Sequence, residues 1–429
     1  MATTKITQVG KRIVNDSSLI FYYDMSNTIR SFKGAPTTNL FAEDSDGVGG
    51  INRPPSATAD FSQWDFTGTT YTEYLPNREV KIQENSTSTA SRYLLLNSRC
   101  LASKDYTFSA YFKPLERKHI QIAPSTNFPQ GSYANYTLEG EGTITGPGSA
   151  KATIKLMKAG SYTGWYRCTY TEISNATNSN NSRFALSLAD TDSLTRLAAY
   201  AATSGYGVLI RDPQFEQSSF ATSFVDGTRS NTQAIIDLTG NETVTANSVT
   251  YNSDGTFRFD NGDYITLPNA ATTFGTGSVS TSVEFWVRPI DDTDTTRIPV
   301  GHQNVNDQRF YIGIIGSQWD VGWGNFAWDA GYTGTRPTVD YDVYQHICVT
   351  INAGIVSLYK NGVKSTFSKT DTTVNQSGVF PIGTYFAGGS PSGAYYGIDD
   401  IPIFRIYSRA LSEAEVKQNF IAHRKQFGL

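Results

Sequence analysis

YTFSAYFKP, residues 106–114, and SVEFWVRP, residues 282–289, decide the fold. In FSAYFKP (108–114) and VEFWVRP (283–289) alternate positions are apolar, and each run ends in a basic residue followed by Pro. Period-two alternation puts every second side chain on one face of a strand. Each run is followed by a second aromatic-led strand pattern. Pro114 to Trp165, which opens WYRCTY, is 51 residues; Pro289 to Tyr344, which opens YQHICVT, is 55. The agreement points to two sandwich domains of similar plan, with chance similarity between β-rich segments as the alternative.

Working outward, short apolar runs recur between turn signals. YRCTYTEI (166–173), RFALSLA (183–189) and GYGVLIRDPQF (205–215) belong to one series. YITL (264–267), RFYIGII (309–315), HICVTI (346–351), IVSLYKNG (355–362) and DIPIFRIYS (400–408) belong to another. Many short strands without a long helical period predict an all-β chain of two antiparallel jelly-roll β-sandwiches. One short C-terminal helix is predicted over 413–424. Ser412 and Glu415 form a capping box there, and Val416, Phe420 and Ile421 form one apolar face.

Composition agrees. The 429 residues are 13% aromatic and only 17% charged, with 37 Gly and 3 Met. That excludes a coiled coil, a helical bundle and a disordered tail. Net charge is -4 and pI about 5.7, with no basic run visible, so no nucleic-acid partner is expected. Cys100, Cys168 and Cys348 are too scattered for a disulfide framework or zinc site and read as small buried hydrophobes. MATTKITQV at the start has no apolar signal core, and no 18-residue apolar run exists, so neither a secretory signal nor membrane insertion is expected.

Four segments near the C-terminus resemble the laminin-G-like, concanavalin A-like jelly rolls of bacterial and phage surface proteins. They are FRFDNGDYITLPN (257–269), SVEFWVRP, YQHICVTINAGIVSLYKNG (344–362) and GIDDIPIFRIYSRALSEAEV (397–416). Residues 106–226 resemble a second jelly roll, of the carbohydrate-binding-module type. It closes on DPQFEQSSFATSFV (212–225), where Gln214, Glu216, Ser219, Phe220, Ala221, Thr222 and Ser223 match the family ending and Phe224 replaces its usual Tyr. In phage laminin-G-like domains a strand like LIFYYDMSNTIRSFKG (19–34) leads into a segment like AIIDLTGNETVTANSVTYNSDG (234–255); here residues 35–233 intervene. The resemblance therefore implies that residues 1–40 supply a strand to the C-terminal sandwich, 229–429, and that 41–228 form an inserted jelly roll. A separate N-terminal anchor strand is the alternative.

Chemistry is sparse. His119, His302, His346 and His423 lack metal-ligand or triad neighbourhoods, and no nucleophile elbow, P-loop or dinucleotide fingerprint occurs. The E-x-D-x-x-E strand of related glycosidases is missing; Glu284 stands alone among apolar residues. No enzyme activity is expected. Glycan binding needs flat aromatic faces with amides and carboxylates around them. SQWDVGWGNFAWDAGY (317–332) supplies Trp319, Asp320, Trp323, Asn325, Trp328 and Tyr332, with Phe326 and Asp329 beside them. The Gly/Ser-rich loop 385–397 adds Tyr385, Tyr395 and Tyr396. The same rings could instead fill a core or an interface. Calcium is the expected metal if one binds, with Asp260, Asp263, Asp399 and Asp400 as candidate ligands, although turn and cap roles explain these acids equally well. Asp291, Asp292 and Asp294 read as a solvated loop.

The resemblance implies a virion structural protein of a tailed phage, assembled in the host cytoplasm and displayed on a tail fibre, neck or capsid. Its partners would be other virion proteins and host surface glycans, and a homo-oligomer, a trimer, is the expected state. The alternatives are a purely structural docking or decoration protein, and a polysaccharide depolymerase or lyase.

Overall fold

The computed structural model describes residues 13–27, 30–41, 65–74, 79–251, 257–260, 262–268, 280–290, 296–303, 309–324, 332–370, 380–387, 390–391 and 399–429. The chain divides into two compact units, residues 36–229 and residues 1–35 with 230–429. Almost all regular structure is strand, and the one α-helix among the described residues is Glu413–His423. It is not long or apolar enough to cross a membrane.

In the unit formed by residues 36–229, two six-stranded sheets face each other. One runs Thr143–Thr145, Ala134–Thr137, His119–Pro124, Asn178–Ala189, Tyr93–Cys100 and Asp65–Thr67. The other runs Ala152–Leu156, Tyr166–Ile173, Asp105–Pro114, Gly207–Glu216, Glu79–Glu84 and Thr69–Tyr74. Alternation decides their inner faces: Phe108, Ala110 and Phe112 pack with Cys168, Ile210, Ile122 and Leu186 in one core. Thr37–Thr38 pairs with Thr228–Arg229 where the chain enters and leaves this unit.

The other unit is also a two-sheet sandwich. Its first sheet is ordered Thr250–Tyr251, Phe257–Phe259, Asp399–Tyr407, Thr281–Pro289, Gln345–Asn352, Ile355–Lys360, Val363–Thr370 and Tyr332–Thr333. Leu19–Asp24 pairs antiparallel with Asp399–Tyr407, so the N-terminal strand lies in this sheet. The second sheet is ordered Thr245–Asn247, Tyr264–Leu267, Phe380–Ile382, Thr296–Gln303, Arg309–Ile315 and Gln318–Gly324. Phe285, Val349 and Phe404 from the first meet Val300, Ile312 and Ile382 from the second. One pair departs from the expected antiparallel plan: Tyr385–Ala387 runs parallel to Thr296–Gln303.

The two repeated segments hold equivalent places. Asp105–Pro114 is flanked by Tyr166–Ile173 and Gly207–Glu216. Thr281–Pro289 is flanked by Gln345–Asn352 and Asp399–Tyr407. The three cysteines are buried and none is in a disulfide.

The helix carries the expected capping box: the Glu415 N–H donates to Ser412 Oγ, and the Ser412 N–H donates to Glu415 Oε2. It covers the outer side of the first sheet. Val416 packs with Leu19, Cys348, Tyr407 and Leu411, and Phe420 stacks on Trp286 at 5.8 Å. Asn419, not Ile421, is its second fully buried residue, because it reaches a buried carboxylate described below.

Candidate functional site

The described residues of the aromatic segment expected to bind do not lie on one surface. Gln318–Gly324 is a strand, and its alternation sends neighbours to opposite faces. Trp319 points into the core, 0% exposed, edge-on to Phe285, and donates its indole N–H to Gln345 Oε1 at 3.1 Å. Asp320 is also buried; it accepts from the Tyr311 hydroxyl at 2.6 Å and lies 3.7 Å from Arg336. Tyr332 is half-buried, stacked on Phe367 at 5.5 Å with the Arg336 guanidinium 5.1 Å over its ring. Tyr385 is 1% exposed and packs with Ile298 and Tyr311. Trp319, Asp320 and Tyr385 therefore have no face to offer a ligand. Trp323 pairs in register with Phe310, but its side chain lies outside the described residues, as do Asn325, Trp328, Tyr395 and Tyr396.

The four aspartates expected for calcium do not make a suitable cradle. Asp400 is fully buried and both its oxygens are engaged: Oδ1 by Arg258 at 3.0 Å, and Oδ2 by the Arg288 Nε at 2.8 Å. A divalent cation there would face two guanidiniums. Asp399 is buried beside it on the same strand. Asp260 and Asp263 sit in one turn, where burial and then the Asp260 charge push the Asp263 carboxyl up to about 6. Among the described residues no group of three or more His, Cys, Asp or Glu is placed to hold a metal.

Glu284 is the acid that a glycosidase reading would single out. It is 0% exposed beneath the C-terminal helix. Arg405 Nη1 donates to its Oε1 at 2.6 Å, Asn419 Nδ2 donates to both oxygens at 3.0 Å, and His346 Nε2 lies 3.4 Å away. Burial alone would raise this carboxyl, but Arg405 and His346 outweigh it and hold it at about 2. Glu284 is thus a buried, ionised strut with no access to a substrate.

A surface that the sequence did not reveal lies on residues 36–229. On the sheet containing Asp105–Pro114, the outward positions of neighbouring strands fall into rows. Lys155 pairs with Arg167, Arg167 with Tyr111, Tyr111 with Arg211, and Arg211 with Glu79. The next row holds Lys113, Leu209 and Lys81. Lys113 and Lys155 are exposed, and Arg167, Arg211 and Lys81 are half-buried. The loop between Ala152–Leu156 and Tyr166–Ile173 folds back over this face, turning at Gly160 and Gly164, both with positive φ. It lays Tyr162 on Tyr111 with ring centroids 4.0 Å apart. Arg211 lies 4.6 Å from the Tyr162 ring and Arg167 lies 5.7 Å from the Tyr111 ring. The Tyr162 hydroxyl donates to Asp212 Oδ2 at 2.5 Å, and burial together with that carboxylate raises the phenol. Asp212 itself occupies a bulge in its strand with φ of 48°. The only sequence signal was the odd-position parity of Tyr111, Lys113, Arg167 and Arg211. Nothing in the sequence says that these positions lie side by side.

Comparison with known proteins bears on the C-terminal unit. Residues 259–417 match the family model of the concanavalin A-like lectin/glucanases superfamily, in its laminin-G-like form. No curated protein matches the chain. Solved structures that resemble part of it are of botulinum neurotoxins. One is a type C toxin whose cell entry depends on two ganglioside molecules, at 18% identity over 44% of this chain and 49% of that one, with a TM-score of 0.36. A second is the DC binding domain in complex with SialylT, at 16% identity over 44% and 49%, with a TM-score of 0.35. A third is the serotype G binding domain, at 18% identity over 44% and 48%, with a TM-score of 0.33. The chain spans about half the length of these structures, and at such scores no ligand carries over from them.

Proposed function

We propose that this is a non-enzymatic glycan-binding protein of a tailed-phage particle, attaching to host surface carbohydrate. The observation that carries the reading is the concanavalin A-like lectin/glucanase match over residues 259–417. The second sandwich adds an outward sheet face rich in hydrogen-bond donors around Tyr111 and Tyr162. Adhesion rather than cleavage is supported by the state of Glu284, sealed under a helix in an ion pair. The phage context rests on the sequence resemblance of both modules. The test is retention of the full chain on an array of purified bacterial surface polysaccharides. Binding to a defined set supports the reading, and retention of none overturns it.

The rival reading has the sandwiches dock other virion subunits, and it is favoured only in that adhesion loses two of its expected rings. Trp319 and Tyr385, expected as adhesive rings, fill interior space instead. Mass spectrometry of purified particles followed by cryo-electron microscopy separates the two readings. A chain whose Tyr111 face is covered by another subunit supports docking; an outward face supports adhesion.

A further inference from the structure

We propose that the sheet face bearing Lys155, Arg167, Tyr111 and Arg211 takes an acidic polysaccharide, one carrying carboxylate or sulfate groups. The inference rests on the glycan-binding reading and narrows its ligand class. Four adjacent strands contribute to the row, so it spans about 14 Å across the sheet. Lys113 extends the positive charge into the next row. The chain as a whole is acidic, at -4, so this strip runs against the overall charge.

Counterions decide which cations are open. Arg211 has Asp212 at 3.2 Å, and Lys81 has Glu116 at 3.0 Å. Arg167 donates to the Thr222 carbonyl. Exposed Lys113 and Lys155 have no carboxylate partner among the described residues. The open end of the strip is therefore Lys155, Arg167 and Lys113, and Glu79 closes the other end.

The rings decide between charge and stacking. Tyr111 is 9% exposed, pressed against Tyr162, and both carry guanidiniums over their faces. Neutral sugars and nucleic-acid bases both need open aromatic faces. This surface offers ammonium and guanidinium donors instead, which suit carboxylate and sulfate oxygens.

The experiment uses the full chain and biolayer interferometry against polygalacturonate, dextran sulfate, neutral dextran and oligo-dT. Binding to the two acidic polysaccharides is expected, about tenfold weaker at about 300 mM salt than at about 50 mM. Joint Lys113→Glu and Lys155→Glu replacement should weaken it about tenfold or more. The same reversal at exposed Lys364 and Lys417, in the other unit, should leave it unchanged. Equal retention of dextran, salt-independent binding, an unaffected double variant, or oligo-dT binding as tight as the polysaccharides would each overturn the assignment. A chain retained on the bacterial array but bound by neither acidic polymer sinks this inference and leaves the adhesion reading intact. Retention of nothing anywhere sinks both.

Discussion

Thr222 binds both oxygens of Glu216: its hydroxyl donates to Oε2 at 2.7 Å and its backbone N–H donates to Oε1 at 2.8 Å. Both residues are buried. The Thr222 hydroxyl also accepts from Gln214 Nε2 at 3.1 Å and from Arg229 Nη2 at 2.6 Å. Gln214 Oε1 accepts from the Val225 N–H at 2.7 Å. The ending QFEQSSFATS is therefore a polar clasp. It returns the chain from the Gly207–Glu216 strand and holds it in place before it leaves the unit.

Thr222→Val removes the hydroxyl and leaves a buried carboxylate oxygen and two donors short of a partner. A loss of about 1–3 kcal/mol is expected in urea unfolding of the full chain. Thr222→Ser keeps the oxygen and should retain most of the stability. Equal stability of the valine and serine variants would show that the hydroxyl does not matter.

Arg405→Met should cost about 3–5 kcal/mol, because Glu284 loses its main counterion and must either sit unpaired or take up a proton in a dry site. Adding Glu284→Leu should recover part of the loss, since two apolar groups then replace an ion pair. Chemical denaturation of the single and double variants measures the coupling. A double variant no better than Arg405→Met alone would contradict the account.

His423 governs the pH response of the C-terminal helix. Its Nε2 lies 2.6 Å from Arg405 Nη2, so the neutral ring accepts from the guanidinium. Burial, then the Arg405 charge, lowers the imidazole from 6.5 to about 4, against smaller opposing contributions from Asp24, Gln426 and Glu284. The unfolded chain thus binds a proton that the folded chain refuses between these values. Stability is full above about pH 6.5 and falls by about 1–3 kcal/mol as pH drops toward 4. His423→Gln should flatten that slope. A wild-type thermal midpoint that is level from pH 7 to about 4.5 would refute the assignment.

Gly322 lies under the Tyr311 ring, and a Cβ at that position would meet Tyr311 Cε1 at 1.8 Å. Tyr311 is 1% exposed and its hydroxyl is held by Asp320, so the ring has little room to move. Gly322→Ala should destabilise the protein by about 1–3 kcal/mol through overpacking. Gly160→Ala offers a contrast: nothing lies within 4 Å there, and the cost should come only from its φ of 77°. Calorimetry on both variants compares crowding with backbone strain. A Gly322→Ala midpoint equal to wild type would mean that the ring yields freely.

The sandwich architecture was legible because period-two alternation is a local property. Phe108, Ala110 and Phe112 fall on one face wherever their strand is placed, and Val283, Phe285 and Val287 do likewise. The helix start was legible for the same reason, since Ser412 and Glu415 act within one turn. The repeat also survives into three dimensions, with both segments central in their sheets.

Parity alone cannot say which face is the core. Trp319 and Asp320 share one aromatic, acidic segment, yet a one-residue step puts one in the interior and the other on the opposite face. Asp400 looked available for a cation because Arg258 and Arg288 are more than 100 residues away in sequence and meet it only across strands. The basic row was invisible for the same reason. Lys155, Arg167, Tyr111 and Arg211 become neighbours only through register across four strands.

By itself the sequence determined which segments extend, where they turn, which side chains share a face and where the helix begins, because those depend on neighbours within a few bonds. Register, layer order and the meeting of distant charges were decided by the assembled sheets. Hydrogen bonding between strands is indifferent to separation along the chain, and only burial of the matched faces selects one pairing among many.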